Sequence, residues 1–195
     1  MNIIEYVPLA VRTEKVLPTM DRLVHGCMGL ITEIGEVTTE LKRMAIYEKE
    51  LDAKRKEHIL EEIGDVMWYV AIMLDALRVD VSYVAAAPKM PLPKGESGKW
   101  EALALMLGVH CGHVCEITQY FIVSEEIPED ALPEFLASLT MIISGMYVSA
   151  IFCDSSIEQA MENNIAKLRI RFPASYSNQE AEGRADKAGA DARNS

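Results

Sequence analysis

The sequence predicts an all-α protein, and three observations carry that prediction. Apolar residues recur at spacings of three and four along almost the whole chain, the signature of amphipathic helices. No alternating apolar and polar run bounded by hairpin-turn residues stands out, as antiparallel strands would require. One stretch, residues 88–99 (PKMPLPKGESGK), concentrates prolines and glycines and divides the chain into two helical halves.

Taken in order, a short N-terminal helix is expected to end near Pro18. The next helix, over 19–45, presents Leu23, Cys27, Ile31, Ile34, Leu41 and Met44 as its inner face. After a turn at YEKELD, a helix over 54–87 carries a stripe of Ile63, Val66, Val70, Leu74, Leu77, Val81 and Val84. Beyond the linker, helices over 100–124 and 131–154 flank SEEIPED and form a second hairpin. A closing helix over 156–171 stops before Pro173. Residues 174–195 are too polar to bury much surface and are expected to be a mobile tail unless they fold over a ligand. Residues 1–173 are read as one domain. A weak internal match sets position 36 against 116, so that each half is a long helix, a turn and a second apolar helix. In that register His113 stands opposite Glu33, and no acidic pair stands where Glu62 and Asp65 do.

A chain of 195 residues, half of them apolar, can bury a sizeable core. Its net charge of -11 argues against attachment to nucleic acid polymers or anionic membranes. A polyphosphate remains compatible, provided that a divalent metal lies between the negative partners. The N-terminal segment lacks the pattern of an export signal, and the longest apolar runs fall short of the roughly 20 residues that span a bilayer. The four cysteines show no disulfide framework, so reduced thiols and a cytoplasmic location are expected.

The chemistry concentrates in two repeated stretches, TEIGEV at 32–37 and EEIGDV at 61–66. Each sets a glycine between two acids at the edge of an apolar face, although glycine inside a helix costs about 1 kcal/mol relative to alanine. Residues three apart share a helix face, so Glu33 converges with Glu36 and Glu62 with Asp65. The short connection between the two helices favours antiparallel neighbours, which brings the pairs together. Four carboxylates in one volume raise one another's pKa unless a hard divalent cation, Mg²⁺ or Mn²⁺, satisfies them. On this reading Gly35 and Gly64 let the two backbones approach. Glu40 is open between an extra ligand or water-activating base and a surface glutamate, and Glu61 is likewise ambiguous.

On the closing helix Asn164, Lys167 and Arg171 share one face suited to phosphate oxygens, although cations also favour any helix C-terminus. His25 lies one helical row from Glu33 and either lines a nucleoside pocket or is a satisfied core histidine. Trp68 and Tyr69 could stack on a base or simply pack. HCGHVC at 110–115 invites a zinc reading, but adjacent positions of one helix cannot close a tetrahedron alone.

The blocks HGCMGLITEIGEV and LEEIGDVMWYVA, with NNIAKLRIRFPASYSNQEAEGRAD, resemble the MazG-like nucleotide pyrophosphohydrolases of the all-α NTP pyrophosphatase superfamily, relatives of the dimeric dUTPases. The resemblance covers residues 20–75 and 160–186. It implies Mg²⁺-dependent hydrolysis of a nucleoside triphosphate to the monophosphate and pyrophosphate, with Mn²⁺ as a substitute. By position, Glu33, Glu36, Glu62 and Asp65 are then the metal ligands and catalytic acids. Asn164 and Lys167 contact the substrate or its phosphates, and either Glu36 or Glu61 takes the proton of the attacking water; His25, Arg171 and Trp68 stay candidate substrate contacts on their own positions alone. A homo-oligomer, most simply a dimer, is implied. Two departures stand out: Thr32 occupies the place of the first acid of a double Glu, and the middle of the chain is longer than in minimal members, so 100–154 could complete a bundle that shorter relatives build between subunits.

Two other classes are compared. Di-iron carboxylate bundles use E-x-x-H pairs, and this chain contains none. An acidic helical protein that binds a nucleotide or a partner without catalysis is the alternative, separated from an enzyme by activity with and without Mg²⁺.

Overall fold

The computed structural model describes residues 1–85 and 98–183. Residues 86–87 of the helix expected over 54–87, residues 88–97 of the expected linker over 88–99, and the tail beyond 183 lie outside the described residues; Gly98 and Lys99, the last two of that linker, instead start α5. Those residues form helices and no strands, as the spacing predicts: α1 (Ile3–Val11), α2 (Thr19–Tyr47), α3 (Ala53–Ala76), α4 (Ser82–Ala85), α5 (Lys99–Ser124), α6 (Leu132–Phe152), α7 (Ile157–Arg171) and α8 (Asn178–Gly183).

Local chemistry sets the boundaries. Asn2 and Glu5 close a reciprocal capping box at the start of α1. That helix ends at Val11 rather than near Pro18, which instead caps the start of α2. Asp52 and Ser156 cap α3 and α7 by accepting from the amides of Arg55 and Gln159. The helix expected over 54–87 breaks after Ala76. Arg78 turns left-handed at φ 53°, and the Val79 amide reaches back 3.1 Å to the Leu74 carbonyl, a closure that satisfies the last orphan acceptors. Val84 is buried again in α4, which is why the apolar stripe runs on through the break.

Helices α2, α3, α6 and α5 pack in a ring, each against the next, and α1 and α7 cover the outer side of α3. On α2 the inward residues are Leu23, Cys27, Leu30, Ile34, Val37, Leu41 and Met44, whereas Ile31 faces out. Helix α6 is long and apolar enough to cross a membrane by length and composition, contrary to the reading of its sequence, and most of it is buried in the bundle. The segment after Pro173 contains α8 rather than only irregular tail.

Close approach of α2 to α3 depends on Gly26 and Gly29, not on the glycines between the acids. A Cβ at Gly26 would stand 2.4 Å from Met73 Cγ, and one at Gly29 only 2.1 Å from the Tyr69 ring. Gly35 has nothing within 4 Å of such a Cβ. Gly64 is crowded from the other side, by α7, where a Cβ would meet Asn164 Cβ at 2.8 Å and the Ala160 carbonyl at 3.1 Å. Its missing side chain admits α7 to the flank of α3.

Candidate metal centre and adjoining cavity

Glu33 comes from α2, and Glu62 and Asp65 come from one turn of α3. Carboxylate oxygens of these three lie within 4.8 Å of one another. Glu36 stands outside this group. Its side chain is 56% exposed and lies 3.9 Å from His58 Nε2, so the four-carboxylate cluster read from the sequence is a group of three with a fourth acid at its rim. Glu40 lies outside the group and is not a surface residue. It is 2% exposed and held by ion pairs with Arg43 and Arg55, the compensation that a buried charge requires.

Glu62 is the most enclosed of the three, at 9% exposure. Burial first, then the hydrogen bond it shares with Glu33 and the charge of Asp65, pushes its carboxyl up to about 8. A carboxyl held protonated beside two others fits a divalent cation, which would take the place of the shared proton and neutralise the group. Glu33 also accepts from the Thr32 hydroxyl at 3.2 Å.

Asp65 is fixed from the opposite side by α7. Asn164 Nδ2 donates to it at 2.7 Å, and Lys167 Nζ reaches both of its oxygens at 2.6 Å. The amide is oriented in turn by buried Tyr6, whose hydroxyl lies 2.8 Å from Asn164 Oδ1 and 3.3 Å from the Gly64 carbonyl. Desolvation, with the charge of Asp65, holds the Tyr6 phenol well above its ordinary pKa and therefore neutral. Tyr6 and His58 escape the sequence reading. A tyrosine on a short first helix carries no motif, but His58 four residues before Glu62 is a signal that helical spacing could have given.

A cavity of about 610 Å³ opens beside the acids, with Glu33 and Asp65 at its edge and His25, Trp68, Tyr69 and Arg171 among its lining. That volume suits a small-molecule ligand. His25 sits edge-on to Trp68 and Tyr69, with ring centroids 5.7 and 5.6 Å apart, and burial lowers its pKa and favours neutral imidazole. Its buried Nδ1 has no hydrogen-bond partner. Trp68 Nε1 donates to Thr13 Oγ1 at 3.0 Å, which ties the indole to the end of α1. Asn164 and Lys167 line a different cavity, of about 480 Å³, with Lys56 and Glu61. The expected cationic face of α7 is therefore divided: Arg171 looks into the first space, while Asn164 and Lys167 engage Asp65.

The HCGHVC segment gives no zinc-type grouping among the described residues. Cys115 Sγ instead lies 3.3 Å from Cys27 Sγ across the seam of α2 and α5. Burial pushes the Cys27 and Cys111 thiols up to about 12, so both are protonated packing groups.

No protein-family profile matches this chain, and no solved structure does. It is similar to the Gene 37 protein of Mycobacterium phage L5, at 32% identity over 68 residues. The matched stretch is 34% of this chain and 59% of the phage protein.

Proposed function

We propose that the protein is a divalent-metal-dependent nucleoside triphosphate pyrophosphohydrolase, releasing a monophosphate and pyrophosphate. The observation that carries this reading is the convergence of Glu33, Glu62 and Asp65, the first and last of which line a cavity that also contains Arg171. Such a cavity can accept a nucleoside, while its acidic rim demands a cation before it can meet a phosphate chain.

Glu33, Glu62 and Asp65 would hold Mg²⁺ or Mn²⁺, which would supply charge neutralisation on the phosphates and acidify a water for attack at the α-phosphorus. The chain's own residues do the rest. Arg171 offers a guanidinium to phosphate oxygens. His25, Trp68 and Tyr69 form an aromatic wall against which a base can rest. Lys167 and Asn164 hold Asp65 in place, and in that position they act on the ligand set rather than on the substrate directly. Glu36 and Glu61, both partly exposed, are the two carboxylates free of the central group that could take the proton from water.

Incubation with each standard NTP and dNTP plus Mg²⁺, with products separated by chromatography, tests the proposal. Monophosphate and pyrophosphate, absent without metal and absent from Glu33→Gln, are the expected products. Nucleotide binding without turnover across the whole set would favour the non-catalytic binding protein instead.

A further inference from the structure

We infer that His58, Glu61 and Glu62 form a second divalent-cation site, sharing Glu62 with the first, and that its imidazole selects a first-row transition ion over Mg²⁺. This rests on the metal centre proposed above and adds a nitrogen ligand to it.

The three residues occupy one face of α3, with Glu61 three and Glu62 four positions after His58. Their donor atoms lie within 4.8 Å of one another. His58 Nδ1 is 3.1 Å from Glu62 Oε1. That contact is an ion pair one helical turn apart. Adjacent donors on an octahedral ion with bonds of about 2.1 Å also stand about 3 Å apart, so an ion can replace it with little movement of either side chain. On the other side of the ring, Nε2 is 3.9 Å from a carboxylate oxygen of Glu36. The imidazole is thus surrounded by acids from two helices. It is 38% exposed, which leaves room for an ion and the waters that complete its shell.

Glu62 belongs to both groups of potential ligands. It is nine-tenths buried and fixed between Glu33 and His58, which is the position of a carboxylate bridging two ions. Lys167 reaches Glu61 at 3.4 Å, a loose contact beside its two 2.6 Å contacts with Asp65, so Glu61 is the less committed of the lysine's partners. Carboxylate and water suit Mg²⁺, whereas imidazole shifts preference toward transition ions. With Glu61 engaged as a ligand here, Glu36, 3.9 Å from the far ring nitrogen of His58, is the carboxylate left to take the proton from water.

Manganese is the probe, because its unpaired electrons report directly on bound nitrogen. The full-length protein would be loaded with Mn²⁺ and studied by pulsed electron paramagnetic resonance, as prepared, with ¹⁵N-histidine, and as His58→Gln. The expected result is a nitrogen coupling of directly bound strength that changes with the isotope and vanishes in the variant. Mn²⁺ affinity of that site should fall at least about tenfold, with Mg²⁺ affinity nearly unchanged. Bound Mn²⁺ without histidine coupling would overturn this second site and leave the Glu33, Glu62 and Asp65 centre standing. No bound Mn²⁺ at all would overturn both.

Discussion

The two helical hairpins of the bundle, α2 with α3 and α5 with α6, follow one packing plan and differ in what lines their seams. Each admits a side chain where a glycine offers none: Gly29 receives Tyr69, and Gly145 receives Leu107, to which a Cβ would stand at 2.6 Å. The first seam then turns acidic at Glu33, Glu62 and Asp65. At the corresponding places, 80 positions on, the second hairpin has exposed His113, buried Ile142 and buried Gly145, and about two turns away along the same two helices Phe121 and Phe135 pack with centroids 5.9 Å apart. A common scaffold can therefore be a core in one half and a candidate site in the other, and the distinction lies in a few polar positions rather than in topology.

The strongest way to break the comparison is to remove the acids. Glu62→Gln replaces a carboxyl already held protonated by its isostere, so the fold should persist while metal-dependent turnover drops more than about a hundredfold. His113→Ala, the matched change in the second hairpin, should leave turnover unaltered. Equal losses in the two variants would refute the division of labour.

Glycine substitutions come next. Gly29→Ala drives a methyl into the Tyr69 ring and should cost about 1–3 kcal/mol in denaturant unfolding. Gly145→Ala meets the flexible ends of Leu107 and Met106 and should cost about 1 kcal/mol. Gly35→Ala, with open space, should instead stabilise by up to about 1 kcal/mol. A destabilised Gly35→Ala would restore the reading in which that glycine serves helix approach.

The pH dependence sharpens the contrast further. Folding raises the Glu62 pKa from its ordinary value to about 8, so the folded state binds the extra proton between those limits. Metal-free stability from this group is complete below the ordinary carboxyl pKa and declines as pH rises toward and through 8. Thermal melts without metal should show that decline in the native protein and not in Glu62→Gln, and a divalent ion should offset it most at high pH. Identical profiles would mean that Glu62 titrates normally. The smallest effect is expected from Tyr6→Phe, which loses the bond to Asn164 and should cost about 1 kcal/mol, with a matching weakening of metal affinity.

Much of this architecture was legible in the sequence because helical period survives local error. The stripe on α2 found Leu23, Cys27, Ile34, Leu41 and Met44, and misplaced Ile31 because Leu30 takes the inward position beside it. The stripe on α3 ran through the break at Arg78, since periodicity carries no information about a left-handed residue that returns the chain to the same face. The acids were visible as repeated pairs. Their partition was not: Glu36 leaves the group by side-chain direction, and Glu40 is neutralised partly by Arg55, which only the turn between α2 and α3 brings near. Gly35 and Gly64 stand out in the sequence for a close approach that in the fold belongs to Gly26 and Gly29, and Gly64 faces a helix a hundred residues away in the chain.

That last contact bears on the order of biosynthesis. All three central carboxylates exist as soon as α3 has left the ribosome, whereas Asp65 receives its amide and ammonium partners only when α7 has been made and has docked beside α1. Tyr6 and Asn164, 158 positions apart, meet at that moment. A nascent chain that stops short of α7 thus carries the acids without the groups that hold Asp65 in place, and the finished site is coupled to the synthesis and docking of that helix.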